Sequence, residues 1–262
     1  MRDLKFPLNF NVEIDVGNGR LVQTSDKKVF FRPYPTFDSD HLTVYHKRAD
    51  FLYEKNFMNA YKRGMDSGHK IMGGGDLHVE WRVHTCLWAA RHAVNLDGDF
   101  VECGVNTGCY SLAIAHYLEF SNIKKQFFLF DTYNGVSIEQ CTPAEAEARK
   151  KENYYDDCFE QAKKNFAAFP NCVLVRGRVP ESLGSVQIDK VSYLSIDMNV
   201  AAPEIAAGEY FWPKLVSGAA IVLDDYGWSG HEDQKKQWNQ FAYRYSVPIL
   251  LLPTGQGLIL KP

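Results

Sequence analysis

The 262-residue chain lacks several features that would assign it at once to a broad class of proteins. It contains no run of roughly 18 or more apolar residues, which disfavours a transmembrane helix. Its first residues, MRDLKFPLNF, contain no uninterrupted apolar segment, so we expect no signal peptide. Lys and Arg number 29 against 32 Asp and Glu, and this slightly negative balance disfavours binding to a nucleic-acid backbone.

The six cysteines form no CxxC pair, and several of them lie within apolar segments. Zinc sites and disulfide frameworks usually show a characteristic cysteine spacing that is missing here. We therefore interpret the cysteines as free, buried thiols and expect a cytoplasmic protein. Apolar residues make up 45% of the chain and charged residues 23%, which excludes general disorder.

From residue 98 onward, short apolar runs alternate with segments typical of helices. Five apolar runs are predicted strands, at 99–105, 125–132, 172–178, 191–197 and 219–225. A charged, alanine-rich segment predicts one long helix over 143–168, and the chain ends in two apolar runs around a TGQG turn, the pattern of a β-hairpin. The alternation predicts an α/β fold whose mostly parallel, seven-stranded sheet ends in that antiparallel hairpin.

Residues 1–97 follow a different pattern. We expect short strands and loops over 1–49 and helices over 50–65 and 78–96. The prediction is an N-terminal cap (1–97), which contacts the substrate or a second copy of the chain, followed by a ligand-binding domain (98–262). Within the last helix of the cap, the segment Glu80-Trp81-Arg82 either closes over a bound ligand or forms an ordinary solvated helix face.

The first predicted strand turns into a helix through the segment VECGVNTG, which carries Glu102, Gly104 and Gly108. Ligands of open α/β sheets bind outside the carboxyl ends of the strands, where a helix N-terminus offers free N–H groups. The dinucleotide motif GxGxxG is absent, and an acidic residue in the turn suits a ligand with an ammonium or hydroxyl group better than a pyrophosphate. Asp131 ends the second strand and could accept hydrogen bonds from both hydroxyls of a ribose. The alternative is an ordinary turn with a solvated acid.

Three aspartates follow the fourth and fifth predicted strands, namely Asp197 and the pair Asp224–Asp225. Because parallel strands end at one edge of a sheet, we expect these carboxylates to lie close together and to repel one another unless a cation is bound. Mg²⁺ prefers oxygen ligands, and it could orient a substrate hydroxyl and lower its pKa. In the alternative interpretation, Asp225 caps a loop and Asp197 holds the amino group of the ligand.

Further candidates for substrate contact lie close to this edge. His231 could accept a proton because histidine titrates near neutral pH, although a surface histidine at a helix start is the commoner case. The aromatic residues Tyr133, Tyr226 and Trp228 either wall a substrate pocket or pack in the core.

Taken together, these segments resemble the macrocin O-methyltransferase (TylF/MycF-like) family over roughly residues 75–262. The matching segments are GDFVECGVNTGCYSLAIAHYL, FFLFDTYNGV, VRGRVPESL, LSIDMN and GAAIVLDDYGW. The resemblance implies a Rossmann-like class I methyltransferase fold, S-adenosylmethionine and Mg²⁺ as cofactors, and a hydroxyl of a sugar or glycoside as the methyl acceptor. It implies cofactor contacts from Glu102, Cys103, Gly104, Asn106, Gly108, Asp131, Thr132, Tyr133, Arg178 and Val179. It also implies metal ligation by Asp197, Asp224 and Asp225.

One position departs from the pattern of that family. The family often carries Asp-x-Asp after the fourth strand, with the second aspartate as general base, whereas this chain has Asp197-Met198-Asn199. An amide accepts no proton at neutral pH, so we expect Asn199, with Tyr226 and Trp228, to contact substrate. The predicted catalytic residues are then His231 and Asp197, unless the metal alone activates the hydroxyl or the activity is altered or lost. Two other functions stay open, a nucleotide-dependent oxidoreductase and a cofactor-binding protein without catalysis.

Overall fold

The structure is a computed structural model that describes residues 10–17, 19–24, 28–70, 76–149 and 156–262. The chain divides into two compact units, Met1–Asp50 and Phe51–Pro262. The described part of the first unit contains a three-stranded antiparallel sheet and a two-stranded hairpin. Its strands are β1 (Phe10–Asp15), β2 (Gly19–Thr24), β3 (Val29–Pro33), β4 (Phe37–Ser39) and β5 (Leu42–Val44).

The described part of the second unit contains one sheet of seven strands. They are β6 (Asp99–Cys103), β7 (Phe127–Asp131), β8 (Cys172–Arg176), β9 (Val191–Ile196), β10 (Leu215–Leu223), β11 (Leu250–Leu251) and β12 (Gly257–Leu260). Their spatial order is β11-β12-β10-β9-β6-β7-β8. Strands β6 to β10 pair in parallel, while β12 runs antiparallel to both β10 and β11. The predicted mostly parallel sheet with a terminal hairpin is therefore confirmed.

Helices cover this sheet. They are α1 (Lys55–Met65), α2 (Glu80–Ala93), α3 (Cys109–Tyr117), α4 (Pro143–Arg149), α5 (Phe159–Phe166), α6 (Ala201–Phe211) and α7 (Glu232–Tyr245). Among the described residues, no helix combines the length and the apolar character that crossing a membrane requires.

Helix α2 packs on β9 and β10, and α1 packs on α3, so both helices that precede the sheet belong to the compact unit that begins at Phe51. The functional division into a cap (1–97) and a ligand-binding domain (98–262) stays a prediction. Helix α1 approaches α3 so closely that a Cβ added to Gly64 would lie 2.3 Å from the carbonyl oxygen of Cys109. Helix α2 carries a buried apolar face that includes Val83, Leu87 and Ala90. Both helices therefore bury apolar surface within the second unit.

The prediction of a single helix over 143–168 is wrong. The structure has the separate helices α4 and α5, and residues 150–155 lie outside the described part of the chain. Before α5 the backbone leaves the helical path, since the N–H of Cys158 donates to the carbonyl of Tyr133 at 2.9 Å. The carboxylate of Asp157 then accepts the N–H of Phe159 at 3.1 Å, as an acidic side chain does at the start of a helix. Tertiary contacts thus override a helix-forming composition.

Strand order reverses at β6, which lies between β7 on one side and β9 on the other. In open α/β sheets such a switch point leaves a crevice outside the carboxyl ends of the strands, because the connecting helices diverge to opposite faces. Gly104 follows β6 at this point with φ of +89°, and a Cβ there would lie 1.8 Å from the carbonyl oxygen of Asp197. The N–H of Asp197 in turn donates to the carbonyl of Cys103 at 2.8 Å. The turns after β6 and β9 are therefore in direct backbone contact.

We expect the substitution Gly104→Ala to destabilise the protein by about 3 kcal/mol or more, because it combines a left-handed backbone with a steric overlap. Urea unfolding followed by circular dichroism measures the change. The matched control is Gly184→Ala, since a Cβ at Gly184 meets nothing within 4 Å. Equal unfolding midpoints for the two variants would contradict the packing described here.

Candidate active site

A cavity of about 290 Å³ lies at the switch point, at the carboxyl ends of β6, β7, β9 and β10. Most of the residues predicted from the sequence line its wall. They are Glu102, Gly104, Asn106, Asp131, Thr132, Tyr133, Val179, Asp197, Asn199, Asp224 and Asp225. The sequence pattern therefore identified the edge of the sheet and most of the side chains that meet there.

Asp131 joins the turn after β6 to the turn after β7. Its Oδ2 accepts the backbone N–H groups of Val105 and Asn106 at 2.6 and 2.7 Å, and its Oδ1 accepts the N–H of Tyr133 at 2.6 Å. The hydroxyl of Thr132 also lies 3.3 Å from Oδ1, but its proton has a shorter acceptor in the carbonyl of Gly135 at 2.7 Å. A carboxylate offers roughly four acceptor positions, so the three N–H bonds leave about one for a ligand hydroxyl. Asp131, predicted to bind a ribose, therefore also holds together the turns after β6 and β7.

Glu102 presents a buried carboxyl group to the cavity. Its side chain is 1% exposed, and its Oε2 has no hydrogen-bond partner among the described residues. Burial raises the pKa of Glu102 to about 8, and the negative charges of Asp131 and Asp224 add to this effect. An unpartnered buried carboxyl oxygen fits a cationic ligand group, because an ammonium there would supply the missing donor and favour the ionised form.

The three predicted metal ligands do converge. One oxygen each from Asp197, Asp224 and Asp225 lies within 4.8 Å of the others. Burial, together with the charges of Asp224 and Asp225, raises the pKa of Asp197 well above its ordinary value. Hard carboxylate oxygens at this spacing fit a divalent cation such as Mg²⁺, which would relieve their repulsion.

Arg82 reaches the same cluster from helix α2. Its Nη1 lies 2.7 Å from Oδ2 of Asp224, and the two side chains are 16% and 4% exposed. The Nε2 of Gln256, in the final hairpin, donates to Oδ1 of Asp224 at 2.9 Å. From the sequence, Arg82 had two possible roles, contact with a bound ligand or a place on a solvated helix face. No sequence pattern predicted Gln256 at this site. Both are far from Asp224 in sequence, and only the fold brings them together.

His69 also lines the cavity and was not predicted. Its segment is anchored next to the turn after β6, where the hydroxyls of Ser67 and Thr107 lie 2.9 Å apart and Asn165 donates to the carbonyls of both residues. Burial and the nearby charge of Arg82 lower the pKa of His69. This shift favours the neutral form of the imidazole, which can accept a proton.

His231 lies behind the aspartates and outside the cavity wall. Its Nδ1 is 3.5 Å from Oδ2 of Asp225 and 2.8 Å from Oε1 of Gln234. The amide of Gln234 continues to the buried carboxylate of Glu204, with 2.9 Å between Nε2 and Oε1. This arrangement holds His231 through Gln234, close to Asp225 and outside the cavity wall.

Five further predicted residues lie outside the wall, each for an identifiable reason. Cys103 points to the opposite face of β6 from Glu102, because side chains alternate along a strand, and it joins the apolar core. A Cβ on Gly108 would meet the ring of Phe166 at 2.5 Å, so this glycine serves packing. The guanidinium of Arg178 is partly exposed and pairs with Glu139 at 2.5 Å.

The two predicted aromatic substrate residues pack against protein groups. The hydroxyl of Tyr226 donates to Oδ1 of Asn239 at 2.6 Å, and its ring belongs to the apolar core. Trp228 lies beside Arg82, whose guanidinium carbon is 5.2 Å from the ring centroid, and its indole covers Gly255. Trp228 therefore supports the aspartate cluster from outside the cavity.

The sequence pattern of the macrocin-O-methyltransferase (TylF) family matches residues 31–248 of this chain. The match starts at residue 31, well before residue 75, where the resemblance described from the sequence begins. A search of curated proteins found no match.

Solved structures with the same fold include two O-methyltransferases of about 15% identity. The O-methyltransferase NovP has a TM-score of 0.59 and 15% identity, with 69% of this chain and 79% of that chain covered. The calicheamicin methyltransferase CalS11 has a TM-score of 0.54 and 15% identity, with 82% and 94% covered. An apo structure of CalS11 is described as a TDP-rhamnose 3'-O-methyltransferase, with a TM-score of 0.50 and 17% identity over 69% of this chain and 79% of that chain. These likenesses confirm the predicted class of fold.

We expect the unfolding free energy to fall less steeply with rising pH in a Glu102→Gln variant than in the unsubstituted protein. The pKa of Glu102 is about 8, so between about pH 5 and 8 the folded chain holds a proton that the unfolded chain releases. Stability is therefore lost as pH rises through this window, by up to about 1.4 kcal/mol per pH unit for one proton. Urea unfolding at pH 5, 6.5 and 8 measures the slope, with the exposed Glu181→Gln as control. Identical slopes for Glu102→Gln and the unsubstituted protein would show that Glu102 is ionised in the empty site.

Proposed function

Because the chain belongs to the macrocin O-methyltransferase family, we propose that it transfers a methyl group from S-adenosylmethionine to a hydroxyl of a sugar or glycoside, assisted by Mg²⁺. Membership of this family makes the chain an O-methyltransferase, and it argues against the alternative of a nucleotide-dependent oxidoreductase. The observation that carries the finer proposal is the joint presence of a buried, unpartnered Glu102 and three converging aspartates in one cavity.

The donor would lie against the turns after β6 and β7. Glu102 offers a carboxyl oxygen to the ammonium group, while Asp131 keeps the turns together and has about one acceptor position left for a ribose hydroxyl. Asn106, Thr132, Tyr133 and Val179 line the same part of the cavity. Cys103 and Gly108 pack next to this part of the wall, in the apolar core and against Phe166.

The metal would be held by Asp197, Asp224 and Asp225. A bound divalent cation supplies Lewis-acid polarisation of the acceptor hydroxyl and lowers its pKa. The protein's own contribution is to position the acceptor oxygen in line with the donor methyl group and to exclude water, for which Asn199 and Met198 in the cavity wall are suited. No aspartate is present at position 199, so the base must come from another residue.

We propose His69 as the proton acceptor, because it lines the cavity and its surroundings favour the neutral imidazole, whereas His231 lies behind Asp225. In this assignment His69 takes the proton of the acceptor hydroxyl as the methyl group is transferred. The role of His231 predicted from the sequence is the competing assignment, with the imidazole acting through Asp225.

A sugar acceptor is supported by the described activity of CalS11 on TDP-rhamnose, which is a property of that protein. The acceptor-binding or oligomer-forming role of residues 1–97 and the cytoplasmic location stay predictions. A cofactor-binding protein without catalysis is the second candidate, and Asn199 in place of the expected aspartate is the observation that favours it.

Metal dependence is tested with Asp225→Asn. We expect methyl transfer to a panel of sugar and glycoside acceptors to stop in EDTA, to return with Mg²⁺, and to fall by about 100-fold or more in this variant. Donor affinity, measured by calorimetry, should stay within about threefold, since Asp225 holds the metal and not the donor. The control is the exposed Asp189→Asn. Full activity in EDTA would refute the metal, and an unchanged donor affinity in Glu102→Ala would refute the donor site.

The two histidines are separated by His69→Gln and His231→Gln. General-base catalysis contributes about 100-fold to 10,000-fold, so His69→Gln should lower kcat by at least 100-fold and leave donor affinity near that of the unsubstituted enzyme. His231→Gln should have the smaller effect on kcat. The reverse order would assign proton transfer to His231.

A further inference from the structure

Both carboxylate oxygens of Asp224 already have partners within the protein. Oδ2 accepts from Nη1 of Arg82 at 2.7 Å and from the hydroxyl of Tyr110 at 3.3 Å, and Oδ1 accepts from Nε2 of Gln256 at 2.9 Å. With two acceptor positions on each oxygen, a divalent cation finds about one position left on Oδ1. The most buried member of the aspartate cluster is therefore the one that the protein itself has most fully engaged.

Arg82 is fixed on its other sides as well. Its guanidinium carbon lies 5.2 Å from the ring centroid of Trp228, and Trp228 is itself wedged against the φ-positive Gly255. The Nε2 of Gln256 is 3.5 Å from the carbonyl oxygen of Arg82, so one amide contacts both partners of the ion pair. A guanidinium that contacts both an aromatic face and a carboxylate has a defined position, unlike a mobile side chain at the surface.

The charges around the cluster explain what this placement does. Asp197, Asp224 and Asp225 bring up to three negative charges within 4.8 Å, and Arg82 is a permanent positive charge in direct contact with one of them. The guanidinium therefore attracts the carboxylates in the metal-free protein and repels a cation that joins them.

We infer that Arg82 is a built-in counter-ion of the aspartate cluster, which stabilises the metal-free site and weakens the binding of a divalent cation by sharing Asp224 with it. The weaker binding of a cation rests on the proposed metal site, whereas the stabilisation of the metal-free protein does not. It makes Arg82 a positioning residue that sets metal affinity, and it predicts a site that exchanges its metal readily.

The experiment uses Arg82→Gln in the full chain, with Arg176→Gln as matched control, because Arg176 forms a comparable but exposed ion pair with Asp157. Binding of Mn²⁺ without donor or acceptor is followed by electron paramagnetic resonance of the free ion at pH 7.5. We expect the Mn²⁺ dissociation constant of Arg82→Gln to fall by about tenfold or more and that of Arg176→Gln to stay unchanged. Arg82→Lys, which keeps the charge, should bind Mn²⁺ nearly as weakly as the unsubstituted protein. Equal or weaker Mn²⁺ binding by Arg82→Gln would overturn the inference.

A second measurement addresses the metal-free protein. Thermal unfolding in EDTA should show a lower Tm for Arg82→Gln, and the added substitution Asp224→Asn should recover part of the loss, because it removes the charge that Arg82 balances. Additive effects of the two substitutions would overturn the counter-ion role. Failure of every variant to bind Mn²⁺, with this coupling intact, would refute the metal in the proposed function and leave the counter-ion role standing.

Discussion

The repulsion among acidic groups at one edge of a parallel sheet is the constraint on which the rest of this site depends. Strands β9 and β10 run side by side and end together, so Asp197 and the pair Asp224–Asp225 cannot avoid one another. A buried cluster of like charges persists only when the surroundings supply opposite charge or donors. The protein supplies both, through the guanidinium of Arg82 and the amide of Gln256.

This requirement recruits elements that are remote in the chain. Helix α2 contributes Arg82, the final hairpin contributes Gln256, and the start of α7 contributes His231 beside Asp225. The terminal hairpin therefore does more than complete the sheet. It places one amide between Arg82 and Asp224, and it provides the glycine against which Trp228 packs. Parts of the chain with no chemical motif of their own thus hold the reactive edge together.

Backbone contacts also connect the turns after β6, β7 and β9. The contact between Gly104 and the carbonyl of Asp197 joins the turn after β6 to the first aspartate, and Asp131 ties that turn to the next one through three N–H groups. The proposed donor and metal positions therefore lie on one connected piece of backbone. Burial raises the pKa of Glu102, so the charge of a bound ligand and the protonation of Glu102 are linked.

The sequence by itself determined the α/β class, the sheet edge and the acidic side chains along it. Apolar runs that alternate with helical segments predict a parallel sheet, whose strands all end at the same edge. Residues that directly follow those strands therefore lie at that edge. The prediction of one helix over 143–168 is wrong, because the hydrogen bond between Cys158 and Tyr133 takes the backbone off the helical path despite a helix-forming composition. Only the tertiary structure decided that Arg82, Gln256 and His69 join the site and that Tyr226, Trp228 and His231 stand behind it. The physical reason is that contacts between residues distant in the sequence depend on how the helices and strands pack and on where each side chain points. A local pattern of residues contains neither kind of information.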